Sequence, residues 1–130
     1  KMAELFLQGK TSDKVQPVCS SEEVMKLREA VSQVAVKENV LGYMEDIVTM
    51  TRQEERFVLG ASPRALLALV RASQACAFLQ GRDYVKPDDV KAVAKYVLAH
   101  RLVLSPEARL QMAKAENILE QIIVKAKVPM

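Results

Sequence analysis

The segment from Ser62 to Gly81 constrains the fold more than any other part of this 130-residue chain. Ser62 is a favoured helix N-cap residue, and Pro63 suits the first helical position, where its missing N–H costs nothing. Gly81 is the residue type that commonly follows the end of a helix. Between these signals nearly every side of the helix is apolar. Such a helix is usually buried, so the sequence predicts a helix over 63–80 at the centre of the fold.

Further helices follow from capping signals and from apolar residues spaced three or four apart. Ser20 and Glu23 have the capping-box spacing, and Ser105-Pro106 repeats the serine-proline start. The predicted helices cover 1–8, 22–32, 38–52, 63–80, 87–98 and 106–125. Residues 57–59 are expected to be briefly extended, but no strand pattern is long enough for a sheet. The sequence therefore predicts an all-α bundle of five to six helices.

Composition limits the kinds of site that the chain can carry. Two cysteines and one histidine exclude a disulfide-stapled scaffold, a four-cysteine zinc site and a histidine-rich metal site. No apolar run approaches the roughly 18–20 residues that span a bilayer, and no signal-peptide pattern opens the sequence. The net charge of +3 comes from well-mixed charges, which is weak support for nucleic-acid binding. The length suits a single helical domain over 1–130, with residues 1–20 as a lead-in helix and loop.

Two short patterns resemble ATPase motifs but lack the context that those motifs need. Gly9-Lys10-Thr11 matches the end of a phosphate-binding loop, yet Glu4 stands where the motif requires another glycine, and no strand precedes it. Glu45-Asp46 resembles an acidic pair that holds magnesium, but it lies within a predicted helix. We interpret Lys10 as a loop cation and Glu45-Asp46 as part of a solvated helix face.

The cysteines and the histidine are weak candidates for catalysis. Cys76 lies inside the most apolar helix, where a thiol usually packs without reacting. Cys19 lies in a predicted loop with no histidine nearby in sequence, and its distance from His100 in space stays open. His100 ends a predicted helix, where a cap or a partner of the helix dipole is the more frequent role.

Arg64 is the residue whose position is least expected from packing alone. It lies in the first turn of the central helix, where a cation opposes the helix dipole by about 0.3–1 kcal/mol. The same helix end offers free backbone amides and suits an anion, and an arginine there can bind phosphate oxygens. The alternative is an arginine paired with Glu54 or Glu55, with its aliphatic stem covering apolar surface. Spacing alone favours this second, structural interpretation.

Three motifs at this spacing favour the phosphate-binding interpretation of Arg64 over the structural one. They are Gly-Ala-Ser-Pro-Arg-Ala at 60–65, Gly-Arg-Asp-Tyr-Val at 81–85 followed by Pro-Asp-Asp-Val at 87–90, and Val-Leu-Ala-His-Arg-Leu at 97–102. Together with the stretch 43–52, they resemble the C-terminal helical lid of a MoxR-family AAA+ ATPase. The resemblance extends over essentially the whole chain, and the first two motifs in combination are specific.

The resemblance implies roles for individual residues. Arg64 falls on the family's sensor-2 arginine, which contacts the terminal phosphates of the nucleotide. Ala61, Ser62 and Pro63 would position that helix. The resemblance gives Arg82, Asp83, His100 and Arg101 structural or subunit-contact roles only. Lys86 departs from the pattern, because a threonine usually caps the helix that begins at Pro87.

The resemblance also implies the setting of the chain. We expect a fragment whose strand-rich ATPase core lies upstream, with the phosphate loop, magnesium ligands and arginine finger that these residues lack. The intact protein would bind ATP with Mg²⁺, hydrolyse ATP and remodel an unknown client protein in a chaperone-like way. It would form a ring, commonly a hexamer, in the bacterial cytoplasm. The fragment alone is expected to bind no cofactor and to have no catalytic residue.

Two other classes of function compete with this interpretation. One is a stand-alone helical interaction module that binds a partner helix without nucleotide chemistry. The other is a helix-turn-helix protein that binds nucleic acid. The helix at 87–98 begins with Asp88-Asp89, which would repel phosphates, so the second alternative is disfavoured.

Overall fold

The computed structural model describes residues 1–9 and 15–130. Seven α-helices and one short 3₁₀ turn dominate this part of the chain, which confirms the all-α prediction. The helices are α1 (Met2–Leu7), α2 (Ser21–Ser32), α3 (Glu38–Gln53), α4 (Pro63–Leu79), α5 (Pro87–Leu98), α6 (Pro106–Leu110) and α7 (Ala115–Lys125), with the 3₁₀ turn at Ala99–Arg101. Two short strands, β1 (Phe57–Leu59) and β2 (Val103–Leu104), complete the fold.

Three serines begin helices as the sequence predicts. The side-chain oxygens of Ser20, Ser62 and Ser105 each accept a hydrogen bond from the backbone N–H three residues later, at 3.2, 3.3 and 3.2 Å. Each bond satisfies one of the amides that a helix start leaves without a partner.

The core lies between α4 and α5, with α3 and α7 packed on this pair. Leu69 of α4, Val90 of α5, Ile47 of α3 and Leu119 of α7 are fully buried. The central position of α4 agrees with its apolar sequence. One side of α4 is nevertheless open, because Leu67 keeps 68% of its surface exposed.

A small sheet corrects the expectation that no strands pair. β1 and β2 run antiparallel, with Phe57 opposite Leu104 and Leu59 opposite Val103. The N–H of Ser105 donates to the carbonyl of Arg56 at 2.8 Å, just beyond the paired residues. The extended form of residues 57–59 is as predicted. Strands this short carry no alternating pattern, and their pairing depends on a long-range contact that α4 and α5 bring about.

The last predicted helix is two helices, α6 and α7, and this is a second correction. Met112 follows Gln111, the C-cap of α6, and adopts a positive φ of 56°. The N–H groups of Met112 and Ala113 donate to the carbonyls of Arg109 and Ala108, at 2.9 and 3.0 Å. This is the Schellman motif, which usually ends in glycine. Because methionine occupies that position, the sequence carried no stop signal.

Candidate functional site

The loop before α4 is attached to the end of α3 by the backbone of Ala61. Its N–H donates to the Thr51 hydroxyl at 3.0 Å, and its carbonyl accepts from the Arg52 Nε at 2.7 Å. A Cβ on Gly60 would lie 2.6 Å from the Arg52 Cα and 2.8 Å from the Thr51 carbonyl oxygen. Only glycine allows the two backbones to approach this closely. The end of α3 therefore determines where α4 begins.

At the start of α4, the first backbone amides have different partners. Ser62 accepts from the amide of Ala65 through its side chain, and its carbonyl accepts from the amide of Leu66 at 3.3 Å. Pro63 has no N–H. The N–H of Arg64 has no acceptor among the residues that the structure describes. This turn thus combines a free amide with the positive end of a helix dipole.

The Arg64 side chain is exposed and unpaired within 1–9 and 15–130. The alternative pairing with Glu54 is not found, because Arg56 donates to both Glu54 carboxylate oxygens, at 2.7 and 2.9 Å. These bonds lower the pKa of the Glu54 carboxyl below its ordinary value. Glu55 is exposed and likewise forms no ion pair with Arg64. An unpaired guanidinium in the first turn of a helix is suited to bind a phosphate.

Arg82 has a structural role in the second motif. Its two terminal nitrogens donate to the two carboxylate oxygens of Asp89, at 2.7 and 2.6 Å, and one of them also donates to the Tyr84 carbonyl at 3.0 Å. Asp89 is only 4% exposed, and it accepts from the Lys86 N–H at 2.8 Å. The Lys86 side chain has no acceptor to cap α5, so Asp89 satisfies this helix start instead.

The second motif also joins α5 to the segment after α2. The N–H of Ala35 donates to the Asp83 carbonyl at 2.8 Å, and the N–H of Val85 donates to the Ala35 carbonyl at 2.9 Å. At the other end of α5, the Nε of Arg101 donates to the Val97 carbonyl at 3.2 Å. His100 is exposed in the 3₁₀ turn. These contacts hold the fold together and lie apart in sequence from the Arg64 turn.

The remaining candidates form no reactive centre in the part of the chain that is described. Cys19 is exposed and Cys76 half-buried, and both thiols are free. Burial and the nearby Asp89 carboxylate raise the pKa of the Cys76 thiol, which disfavours the reactive thiolate. Glu45 and Asp46 are exposed on α3. Lys10 and Thr11 lie outside the described residues.

Neither a metal cluster nor a membrane span occurs in the described ranges. No three or more histidine, cysteine, aspartate or glutamate side chains gather there closely enough to hold a metal ion. Over the same ranges, no helix has both the length and the apolar character that a bilayer crossing requires.

Sequence reasoning missed the two side chains that hold the loop, Thr51 and Arg52. A signal was present, because Thr51 shares the otherwise apolar face of α3 with Val48, Ile47 and Met44. A polar residue on a buried face needs a partner, and the nearest candidate was the backbone of the following loop. Gln74 is a second buried polar side chain that sequence reasoning missed. It lies buried in α4, and its side-chain nitrogen donates to the Val34 carbonyl at 2.7 Å.

Comparison with known proteins shows the family to which the chain belongs. Residues 49–122, more than half of the chain, match the AAA lid domain family. The uncharacterized protein YeaC of Bacillus subtilis is 39% identical over 127 residues, which are 96% of this chain and 40% of that protein. Chaperone MoxR1 of Mycobacterium tuberculosis is 29% identical over 134 residues, covering 96% of this chain and 36% of that protein.

A solved structure has the same fold. The crystal structure of a candidate ATPase from Cytophaga hutchinsonii superposes with a TM-score of 0.83 at 30% identity. The match covers 100% of this chain and 44% of the other. The chain thus spans less than half the length of these relatives. It belongs to the AAA lid domain family, as a lid of the type found in AAA+ relatives named MoxR.

Proposed function

We propose that this chain is the lid of a longer MoxR-type AAA+ ATPase and that Arg64 is its sensor-2 arginine. The observation that carries the proposal is the exposed Arg64 side chain, which has no carboxylate partner among the described residues. Arg64 lies in the first turn of α4, and hydrogen bonds from α3 to Ala61 fix the start of that helix. An isolated cation in that turn opposes the helix dipole unless an anion binds beside it. The terminal phosphate of ATP is an anion that satisfies both the guanidinium and the free amide.

The proposal gives the two parts of the protein different tasks. An ATPase core preceding this lid would hold ATP and Mg²⁺, as expected for a protein whose lid matches the AAA lid domain family. Ala61, Ser62 and Pro63 would keep Arg64 at the phosphate, because the end of α3 binds the backbone of Ala61, directly before the N-cap Ser62. Loss of the terminal phosphate on hydrolysis would remove the anion that Arg64 binds, so the lid would rotate away from the core.

We further propose that this rotation drives chaperone-like remodelling of a client protein within a ring of subunits, commonly a hexamer. Support comes from the relative named chaperone MoxR1. Since the relatives reported above are bacterial, the proposed setting is the cytoplasm of a bacterial cell.

The test is the ATPase activity of the full-length protein that carries this chain. Replacing Arg64 by alanine is expected to lower kcat by at least about tenfold, because a charge-assisted contact to the transferred phosphate is lost. Arg109→Ala removes another exposed arginine, on α6, and is expected to leave kcat unchanged. The 130-residue chain alone is expected to show no turnover. Unaltered kinetics in Arg64→Ala would remove Arg64 from the mechanism.

A second candidate function has its own observation. Val24, Met25 and Leu27 of α2 keep 42, 61 and 51% of their surface exposed. These residues favour a helical interaction module that binds a partner through α2 without a nucleotide. A partner captured equally well by the full-length protein and by the isolated chain, with or without ATP, would support that function instead.

A further inference from the structure

The turn that carries Arg64 lies between two buried residues. Ala61 and Ala65 keep only 1% and 0% of their surface exposed. The three residues between them, 62–64, are all exposed. Packing in the core therefore holds α4 from Ala65 onward, but it does not hold the first turn of the helix. The position of Arg64 depends on how the chain leaves Ala61.

Two consecutive peptide groups at Ala61 are each fixed by one side chain of α3. The N–H of Ala61 belongs to the peptide group shared with Gly60, and it donates to the Thr51 hydroxyl at 3.0 Å. The carbonyl of Ala61 belongs to the peptide group shared with Ser62, and it accepts from the Arg52 Nε at 2.7 Å. Because each peptide group is planar, fixing both groups fixes the two backbone dihedral angles that lie between them. Without the Arg52 bond, only the first group would be held, and the chain could enter α4 in other directions.

The Arg52 side chain has no other partner in the part of the chain that the structure describes. It is exposed, and its bond to the Ala61 carbonyl is the one hydrogen bond that it makes there. It forms no ion pair with those residues either. The bond comes from Nε, so the two terminal nitrogens of the guanidinium are not used. A single N–H therefore connects Arg52 to the turn.

We propose that Arg52 is a positioning residue for Arg64. The Nε–H of Arg52, rather than its charge, sets the orientation of the peptide group after Ala61 and so determines where the Arg64 guanidinium lies. This inference rests on the proposed function. A displacement of about 1 Å at a group that contacts the reacting atoms can cost about 100-fold in rate. The bond from Arg52 prevents the backbone rotation that would cause such a displacement.

Two substitutions of nearly equal length separate the hydrogen bond from the charge. In Arg52→Gln the amide nitrogen lies as many bonds from the backbone as Nε does, so a donor is kept and the charge is lost. In Arg52→Met a methyl group takes that place, so both are lost. In the full-length protein that carries this chain, Arg52→Met is expected to lower kcat and kcat/KM for ATP hydrolysis equally, by roughly tenfold. Arg52→Gln is expected to keep most of the activity that Arg52→Met loses.

A double-mutant cycle tests whether Arg52 acts through Arg64. If it does, Arg52→Met causes no further loss of kcat in a protein that already carries Arg64→Ala. A residue that only stabilises the fold would cause the same loss in both backgrounds. The matched control is Gln53→Met, on the neighbouring exposed residue of α3, and it is expected to leave kcat unchanged. Thermal unfolding followed by circular dichroism checks that each variant is folded at the assay temperature.

The outcomes distinguish this inference from the function on which it rests. If Arg52→Met has normal kcat, is unfolded at the assay temperature, or loses equally in both backgrounds, Arg52 does not position Arg64, while the role of Arg64 stands. If Arg52→Gln loses as much activity as Arg52→Met, the charge carries the effect and the inference is wrong. If Arg64→Ala itself has normal kinetics, the proposed function is wrong.

Discussion

The hydroxyl of Thr51 accepts a hydrogen bond from the backbone N–H of Ala61 at 3.0 Å and donates one to the carbonyl of Val48 at 2.6 Å. Both Thr51 and Ala61 are buried. The residue after Ala61 is the N-cap of α4, so one hydroxyl links the end of α3 to the turn that carries Arg64. The contact is therefore expected to matter for the stability of the fold and for the position of that arginine.

Replacing Thr51 by valine tests this contact without changing the shape of the side chain. The N–H of Ala61 would stay buried with no acceptor, so we expect the free energy of unfolding to fall by about 1–3 kcal/mol. Urea denaturation followed by circular dichroism measures the change. Thr49→Val on the exposed side of α3 is the matched control, and an equal loss there would show that the hydrogen bond is not responsible.

Gly60 and Gly42 are expected to respond in opposite directions to alanine. The Cβ of Gly60→Ala would meet backbone atoms of Thr51 and Arg52 at 2.6–2.8 Å, so the loop must move and we expect a loss of about 2 kcal/mol or more. A Cβ on Gly42, within α3, meets nothing within 4 Å. Gly42→Ala should therefore stabilise the protein by about 0.5–1 kcal/mol through helix propensity.

The same denaturation experiment measures both glycine variants. If Gly60→Ala proved as stable as the unsubstituted protein, the close approach of the loop to α3 would be wrong. This result would also weaken the case that α3 positions Arg64.

The signals that predicted the helices are local in sequence, and this explains their success. Ser62, Pro63 and Gly81 act on the residues next to them, so the bounds of α4 followed from the sequence within one residue. The sheet was missed because β1 and β2 are separated by α4 and α5, and no local pattern records their pairing. The break at Met112 was missed because a methionine, not a glycine, occupies the positive-φ position that ends α6.

The candidate site was predictable in part. An arginine in a helix first turn conflicts with the dipole, and this conflict identified Arg64 from the sequence. The sequence left open whether Glu54 pairs with Arg64. In the structure Glu54 pairs with Arg56 instead. The bonds from Thr51 and Arg52 to Ala61, which hold the site, are tertiary contacts that helical periodicity does not report.

Met112 offers a site where a substitution should stabilise the protein. Its side chain is exposed, and its φ of 56° is a conformation that glycine adopts without cost. Met112→Gly should raise the free energy of unfolding by up to about 1 kcal/mol, since the strain exceeds the added entropy of the unfolded chain. Gly81, with a φ of 75° after α4, is the reverse control, and Gly81→Ala should destabilise. A destabilised Met112→Gly variant would contradict the assigned backbone conformation.

The Arg82–Asp89 pair makes the free energy of unfolding depend on pH in the acidic range. Bonds from Arg82 hold the pKa of the Asp89 carboxyl below its ordinary value of 3.8. An unfolded chain then binds the proton more readily than the folded protein does. The stabilising contribution is therefore complete above about pH 4 and is lost as the pH falls through the lowered pKa.

A double-mutant cycle with Asp89→Asn and Arg82→Met measures this contribution. At pH 7 we expect a favourable coupling free energy between the two side chains, because both carboxylate oxygens of the buried Asp89 accept from Arg82 and each single variant leaves a polar group without its partner. The coupling should shrink progressively below pH 4 as Asp89 takes up a proton. Denaturant unfolding of the four proteins at several pH values provides the measurement. If the coupling free energy stays constant down to the lowest pH at which the protein folds, protonation of Asp89 does not weaken the pair and the prediction is wrong.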